Sequence, residues 1–197
     1  LAAEGGLTTA RMYDLDALPL REMMYLRAVQ TEKNLVSAMK KPYFTRIDFT
    51  ETGGPPQTYY IGKYGVLRTD SLEVEVVDWR APVANLYYSG QIGPLRYEAP
   101  DGAVEGELTL KRQFGIENGE ILTIFDADIV SQDEFLQGVL GETTGERLRE
   151  IVTTIQAEQN YVIRYPLDRS LIVQGVAGSG KTTIALHRIA YLLYTYA

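Results

Sequence analysis

The residues best suited to chemistry in this chain form a short glycine-rich stretch near its C-terminal end. Gly175 to Thr182 reads GVAGSGKT and matches the pattern G-x-x-x-x-G-K-[ST]. In such a pattern the glycines let successive backbone amides point at phosphate oxygens, and the lysine brings a cation to the same anion. The hydroxyl of the last residue is suited to a Mg²⁺ ion that bridges the phosphates. The stretch therefore predicts a phosphate-binding loop.

Roles follow from the chemistry of phosphoryl transfer. Lys181 and Thr182 are the candidate catalytic residues, because one neutralises the β- and γ-phosphates and the other supplies the protein ligand to Mg²⁺. The backbone of the loop and of the first helical turn supplies the remaining contacts. The predicted phosphate-binding residues are Gly175, Val176, Ala177, Gly178, Ser179, Gly180, Lys181, Thr182 and Thr183.

The elements around the loop must hold it in place. Before it, SLIVQ at 170–174 is a short apolar run that predicts a strand, and the segment after it has helical spacing. Upstream, a short helix is predicted from Asp133 to Leu140. A longer helix opens at the capping box from Thr143 to Glu146 and runs past Ile163. Helix, strand, loop and helix in this order predict the opening of a parallel α/β nucleotide-binding domain.

The middle of the chain has a different pattern. Short runs rich in Val, Ile, Tyr, Phe and Thr alternate with Gly and Pro clusters, which predicts an antiparallel β module. Asn118-Gly119 marks its clearest hairpin, with a type I′ turn. The predicted strand segments are FTRIDF, TYYIGKY, LEVEVVDW, ANLYYSG, ELTLKRQF and EILTIFDADI.

A helix is predicted near the N-terminus, from Tyr13 to about Met39. Pro19 is acceptable near a helix start, and Pro42 ends the element. Apolar residues recur at about every seventh position, although Glu22 and Glu32 interrupt them. This pattern favours a packed helix over a long coiled coil, with the end of a helical hairpin as the alternative.

Composition limits the classes of site and partner. The chain has 197 residues, 45% of them hydrophobic, a net charge of −7, one histidine and no cysteine. These counts exclude a disulfide scaffold and a zinc site, so any metal should be a hard ion such as Mg²⁺. The acidic balance argues against duplex binding by this segment. No membrane span or signal peptide is recognisable, which predicts a cytoplasmic protein without a membrane partner.

Acidic residues concentrate in one region. Between Glu98 and Glu134 ten carboxylates face two basic residues, Lys111 and Arg112. A solvated acidic face explains this density, and a docking face for a basic protein partner is the alternative.

Two resemblances sharpen the interpretation. Gln159 precedes Lys181 by twenty-two residues, and HRIAYLL follows the loop. This combination resembles the superfamily 1 helicases of the UvrD and Rep type, which implies that Gln159 reads the adenine edge and that the cofactors are ATP and Mg²⁺. His187 and Arg188 match a His-Arg pair of that superfamily, but surface or packing roles explain them, so they receive no catalytic role.

A narrower resemblance covers about four fifths of the chain. The blocks PYFTRIDF, YYIGKYG, VVDWRAPVANLYY, LKRQ, IVTTIQAEQN and VQGVAGSGKTTIALHR look, in this order, like the HelD family of bacterial helicase-like ATPases. UvrD-type helicases lack the DWRAP block. The resemblance implies an N-terminal coiled-coil arm before this segment, motor bodies after it, and RNA polymerase as a partner that ATP hydrolysis helps to free from nucleic acid.

The resulting fold class is α/β with mixed α+β character. We expect residues 1–41 to form the end of an N-terminal arm, 42–130 the β module, and 131–197 the start of a RecA-like P-loop ATPase domain. The Asp-Glu pair and arginine fingers of a complete motor are expected outside this sequence, as is any nucleic-acid contact. The segment alone should be a poor ATPase. The alternatives are a UvrD/Rep-type 3′–5′ DNA helicase and a non-catalytic protein-docking module.

The DWRAP block allows two interpretations. Asp78 and Arg80 flank Trp79, the only tryptophan of the chain. An acid and a cation could await a substrate, but a buried tryptophan beside an Asp-Arg ion pair explains the same residues as architecture. The fourteen tyrosines favour core and interface packing over base stacking, because they are scattered through the β segments.

Overall fold

The structure is a computed structural model. It describes the backbone of residues 6–89, 91–126, 155–176 and 178–196, and the side chains within these ranges from residue 20 onward. The predicted helix from Asp133 to Leu140, the capping box from Thr143 to Glu146 and the helical turns up to residue 154 lie outside the described residues. None of the described helices is long and apolar enough to cross a membrane.

The first element, α1, is a 35-residue helix, Gly6–Lys40. The helix predicted from Tyr13 is confirmed, but it begins earlier, so that Pro19 lies in its interior and removes one backbone hydrogen bond there. The prediction that this helix packs through an apolar face is wrong for the turns whose side chains are described, in which Ala38 is the one buried residue. The exposed large apolar side chains of α1 are Leu20, Met23, Met24, Tyr25, Leu26, Leu35, Val36 and Met39.

The C-terminal end of α1 is tied to a β-hairpin. The Gly119 amide donates to the carbonyl oxygen of Lys40 over 2.8 Å, which satisfies one of the carbonyls that a helix end leaves without a partner. Asn118 and Gly119 have φ values of 51° and 82°, as a type I′ turn requires. The predicted Asn-Gly hairpin is therefore confirmed, and its turn also caps the helix.

In the described ranges seven strands form one mixed sheet, and with the helices this makes the fold mixed α+β. The spatial order is β3-β4-β2-β1-β6-β5, and β7 also pairs with the long strand β6. The strands are β1 Thr45–Glu51, β2 Pro56–Gly62, β3 Val66–Leu67, β4 Val74–Asp78, β5 Gly93–Ala99, β6 Gly102–Glu117 and β7 Glu120–Asp126.

One strand pair corrects the prediction of an antiparallel module. Strands β2 and β4 run parallel, with Ile61 opposite Val77 and Gly62 opposite Asp78. The intervening residues 63–73 include β3, which pairs antiparallel with β4, so the chain reverses before β4 begins. Residue patterns indicate where strands lie but not whether neighbouring strands run parallel or antiparallel, because side chains alternate between the two faces of the sheet in either arrangement.

A second correction concerns ANLYYSG, which was predicted as a strand. A 3₁₀ turn, Pro82–Ala84, leads into a short helix, α2, Asn85–Ser89. Three consecutive residues of α2, Leu86 to Tyr88, are buried, because the helix packs against both β5 and the later helix α3, Ala157–Arg164. Tertiary burial thus overrides the β propensity of the two tyrosines.

The core lies between the sheet and these short helices. Strands β1, β2 and β6 contribute fully buried aliphatic and aromatic side chains, and α2, α3 and the segment after β4 cover them. Each such side chain contributes about 2 kcal/mol through removal of apolar surface from water. The best-buried members are Ile47, Phe49, Ile61, Leu86, Leu108 and Ile163.

Burial of the α2 tyrosines should make stability fall at alkaline pH. Loss of hydration raises the pKa of both the Tyr87 and the Tyr88 phenol from the usual value of 10.0, so the folded state keeps protons that the unfolded chain loses. This stabilisation is complete below about pH 10 and declines above it by about 1.4 kcal/mol per pH unit for each phenol. We expect Tyr88→Phe to reduce the loss of unfolding free energy between pH 9 and 11, measured by urea denaturation. Tyr161→Phe, at an exposed tyrosine, should leave it unchanged, and equal losses in all three proteins would contradict this assignment.

Candidate functional site

The segment before the glycine-rich loop does not form the predicted strand. Residues 170–176 have no regular secondary structure, and Ile172 and Val176 are 86% and 79% exposed. A strand needs a neighbour to pair its backbone groups, and in the described part of the chain none lies beside this segment. Of the predicted strand, loop and helix, the structure therefore shows the loop and the helix but not the strand.

The loop itself has the backbone shape that its glycines allow. Gly178 and Gly180 have φ values of 82° and 80°, a region that L side chains rarely adopt. A Cβ atom on Gly175 would lie 2.6 Å from the Ser179 hydroxyl oxygen, and the Ser179 amide donates to the Val176 carbonyl over 3.2 Å. Ala177 lies outside the described residues. The last helix, α4, Lys181–Tyr196, begins directly after the loop.

Lys181 folds back over this loop. Its ammonium donates to the carbonyl oxygens of Gly175 and Val176 over 2.8 and 2.7 Å, and the Ser179 hydroxyl lies at 3.4 Å. Thr182 is exposed and Thr183 is half-buried in the first turn of α4. A cation held by neutral carbonyls at a helix N-terminus is placed to attract an anion, because the positive end of the helix dipole adds to its charge.

Gln159 has a local structural partner. Its side-chain oxygen accepts a hydrogen bond from the Gln156 amide over 3.2 Å, as one half of a capping box at the start of α3. The residue is half-buried. The structure therefore places Gln159 at the N-terminal end of α3 and does not bring it into direct contact with Lys181 through any described hydrogen bond.

Helix α4 is joined to α3 by Arg188. Its guanidinium donates to the carbonyl oxygens of Val162, Ile163 and Tyr165 over 3.1, 3.2 and 2.7 Å. These carbonyls end α3, where a cation and additional donors are favourable. The sequence interpretation gave Arg188 a surface or packing role, and the structure shows that role to be a cap on the C-terminal end of α3.

Arg164 joins the same helix pair to the DWRAP segment. It donates to the carbonyl oxygens of Trp79, Arg80 and Ala81 over 2.7, 3.2 and 3.3 Å. Loss of hydration lowers the pKa of its guanidinium, although an arginine stays charged at neutral pH. On α4, the Tyr191 ring lies 5.0 Å from this group. Arg164 is an anchor that sequence reasoning missed, because its partners in the DWRAP segment are backbone carbonyls more than eighty positions away.

The architectural interpretation of the DWRAP block is confirmed. Arg80 and Asp78 form an ion pair of 2.6 Å, and the Trp79 side chain is only 4% exposed. The Trp79 ring meets His187 of α4 edge to face at 5.6 Å, and the Arg80 guanidinium lies 4.6 Å from the Tyr194 ring. The block that follows β4 is thus packed against the helix that follows the glycine-rich loop.

The first two thirds of the chain match a known protein family. A family model described as DNA helicase IV HelD, N-terminal domain, matches residues 4–139. The chain belongs to this family. A search of the curated proteins found no match.

The HelD match and the glycine-rich loop occupy different parts of the chain. The matched range includes α1, the whole sheet and the DWRAP segment, and it ends before α3, the loop and α4. The contacts of Arg164, Arg80 and Trp79 therefore connect the HelD N-terminal region to the loop-bearing helix. Membership of the family relates the chain to the HelD-like helicases.

Thr182 is the loop residue whose side chain could contribute to a metal site. Within the ranges that the structure describes, no group of three or more His, Cys, Asp or Glu side chains is arranged to hold one. The hydroxyl of Thr182 can supply one oxygen ligand, and phosphate oxygens and water would complete the octahedron that Mg²⁺ prefers.

Removal of the Arg188 cap should destabilise the helix pair. Arg188→Ala removes the guanidinium donor from three carbonyls at the end of α3, of which that of Val162 keeps the Tyr165 amide over 3.4 Å. The free energy of unfolding should therefore fall by about 1–3 kcal/mol. Urea denaturation followed by circular dichroism measures the loss. Arg169→Ala, at an exposed arginine, is the matched control and should change it by less than about 0.5 kcal/mol. A loss no larger than that of the control would contradict the capping role.

Proposed function

We propose that this chain is the HelD-family segment in which an ATP-driven motor begins, and that ATP with Mg²⁺ binds at residues 175–183. The observation that carries the proposal is the Lys181 ammonium held over a loop with two positive-φ glycines at the start of α4. Phosphate oxygens would replace the loop carbonyls as partners of Lys181. The amides of Gly178 to Thr183 would complete the phosphate contacts, with Thr182 on the metal.

The proposed domain division assigns residues 1–41 to an arm, 42–130 to the β module and 131–197 to the start of a RecA-like ATPase domain. Exposed apolar residues of the segment before the loop, such as Ile172, and of the outer face of α4, such as Leu186 and Leu193, support this. In a RecA-like domain those surfaces would be covered by further parallel strands, which are buried on both faces.

RNA polymerase is the proposed partner, and release of stalled polymerase the proposed purpose of ATP hydrolysis. The proposal rests on the resemblance of the ordered sequence blocks to HelD. The acidic surface of β5 and β6 is compatible with it, since Glu98, Glu105, Glu107 and Glu117 are exposed and disfavour nucleic acid as the ligand of this face. A UvrD/Rep-type DNA helicase and a non-catalytic docking module remain the competing functions.

A test of binding to RNA polymerase distinguishes the proposed function from the DNA helicase and the docking module. We expect the full-length protein to co-elute with core RNA polymerase on a sizing column, and ATP with Mg²⁺ to weaken the complex. Lys181→Ala should retain the complex but lose the effect of ATP, because the cation on the β- and γ-phosphates is missing. Arg169→Ala is a charge-matched control.

The other outcomes identify the competitors. No complex, together with strong activation of ATP hydrolysis by DNA, would favour the helicase. A complex that ATP does not affect in the unchanged protein would favour the docking module.

Gln159 can be tested without loss of its capping role. Glutamate at this position preserves the acceptor that the Gln156 amide uses, but it cannot donate a hydrogen bond to adenine N7 as an amide does. N7 is an acceptor in both purines, whereas only adenine offers an N6 amino group to the side-chain oxygen that glutamate retains. We expect Gln159→Glu to keep the stability of the protein and its preference for ATP over GTP, and to weaken the binding of both nucleotides by about tenfold, in line with loss of a contact of 1–3 kcal/mol. Competition binding with both nucleotides measures this. Gln159→Ala also removes the acceptor for the adenine N6 amino group, so it should lower both the preference for ATP over GTP and the stability. An unchanged preference in Gln159→Ala would remove adenine reading from Gln159.

A further inference from the structure

The DWRAP segment and helix α4 meet along one face of the helix. Ile184, His187, Arg188, Tyr191 and Tyr194 recur at three- and four-residue intervals, which places them on one side of α4. Ile184 and Tyr191 pack against the buried core, and the other three contact Trp79, the end of α3 and Arg80. The opposite side carries Leu186, Ile189 and Leu193, which are more than half exposed. The face of α4 that carries these five residues, its inner face, therefore packs against the β module and α3.

The same helix begins at the loop. Lys181 and Thr182 form the first turn of α4, and His187 lies less than two turns further on. Its Nδ1 is 2.7 Å from the Thr183 carbonyl oxygen, so the imidazole that meets Trp79 is also tied to the first turn. A helix transmits displacement of one end to the other because its backbone hydrogen bonds keep it stiff over several turns.

From Trp79 the path continues into the sheet. The Trp79 amide donates to the Gly62 carbonyl oxygen over 3.0 Å, next to the short parallel pairing of β2 with β4. Arg164 fixes the position of this segment from the other side through the carbonyls of residues 79–81. It is itself oriented by Asn160, whose side-chain oxygen accepts from Arg164 Nε over 3.0 Å and whose amide donates to Asn85 over 2.7 Å.

We infer that Arg164 is a positioning residue for the nucleotide site, and that residues 79–81 are the point at which phosphate binding at the loop is transmitted to the β module. The inference rests on the proposed function, because it requires a nucleotide at residues 175–183. Arg164 lies outside the proposed phosphate-binding residues 175–183. It holds the DWRAP carbonyls, α3 and the inner face of α4 in one arrangement, so a shift of α4 must move Trp79 or break these bonds.

Trp79 provides the spectroscopic test. The difference in tryptophan emission between the full-length protein and its Trp79→Phe variant isolates this side chain, and equilibrium dialysis with labelled ATP and Mg²⁺ measures occupancy independently. We expect a saturable change in Trp79 emission with the same midpoint as the dialysis curve. Arg164→Lys retains the charge but loses the planar fork that binds Asn160 and the carbonyls of residues 79–81 together. By reciprocity of coupling, it should weaken ATP binding about fivefold and at least halve the emission change. Arg96→Lys, at an exposed Arg96–Glu98 pair, is the control and should match the unchanged protein.

A second variant keeps the test decisive if Arg164→Lys does not fold. His187→Leu preserves helix propensity and apolar packing but removes the ring that meets Trp79, so the ATP-dependent emission change should fall by at least half. Saturation with ATP by dialysis without any change in Trp79 emission would overturn the inference and leave the nucleotide site standing. An undiminished emission change in His187→Leu would also overturn it. No retention of ATP in dialysis would overturn both the site and the inference.

Discussion

The organisation of this molecule depends on three peptide carbonyls that follow strand β4. The oxygens of Trp79, Arg80 and Ala81 converge on the Arg164 guanidinium, because the chain turns sharply after β4 and cannot satisfy these groups within the sheet. Buried carbonyls without donors cost about 1–3 kcal/mol each. The planar guanidinium donates to all three from a fixed set of N–H groups, whereas a lysine ammonium has no such fixed fork. The Ala81 oxygen also accepts from the Ala84 amide over 3.1 Å.

This arrangement explains why a family region and a glycine-rich loop that are separate in sequence form one packed unit. The buried Trp79 ring, the Asp78–Arg80 ion pair and the capped end of α3 each contact a different residue of α4. Most of the contacts are polar or aromatic and depend on orientation. Such contacts specify one docking geometry, whereas an aliphatic interface of the same size would tolerate sliding.

The sequence predicted those features whose causes are local. Asn118-Gly119 needed only two residues that tolerate positive φ, and the glycines of the loop have the expected backbone shape at 178 and 180. The segments of β1, β2, β4, β6 and β7 were visible as β-rich runs. The architecture of Asp78, Trp79 and Arg80 was also predictable, because their chemistry favours burial beside an ion pair.

The predictions that failed concern features that depend on residues far away in the sequence. The Leu86 to Tyr88 run became helical because it is buried between β5 and α3, and the parallel pairing of β2 with β4 depends on where the chain returns after β3. The segment at 170–174 had a strand composition, but it forms no ladder among the described residues. Arg164 and Arg188 carried no sequence signal, since backbone carbonyls can be offered by any residue.

The bond between Gly119 and the end of α1 has a mechanical consequence. A helix of 35 residues extends about 50 Å, and the described tie to the sheet is at its last turn. Rotation of the hairpin by only five degrees would therefore carry the distant tip of α1 through about 4 Å, by the geometry of a rod of that length. A small reorientation of one two-residue turn is thus magnified into a displacement larger than the length of the hydrogen bond that ties the helix to it.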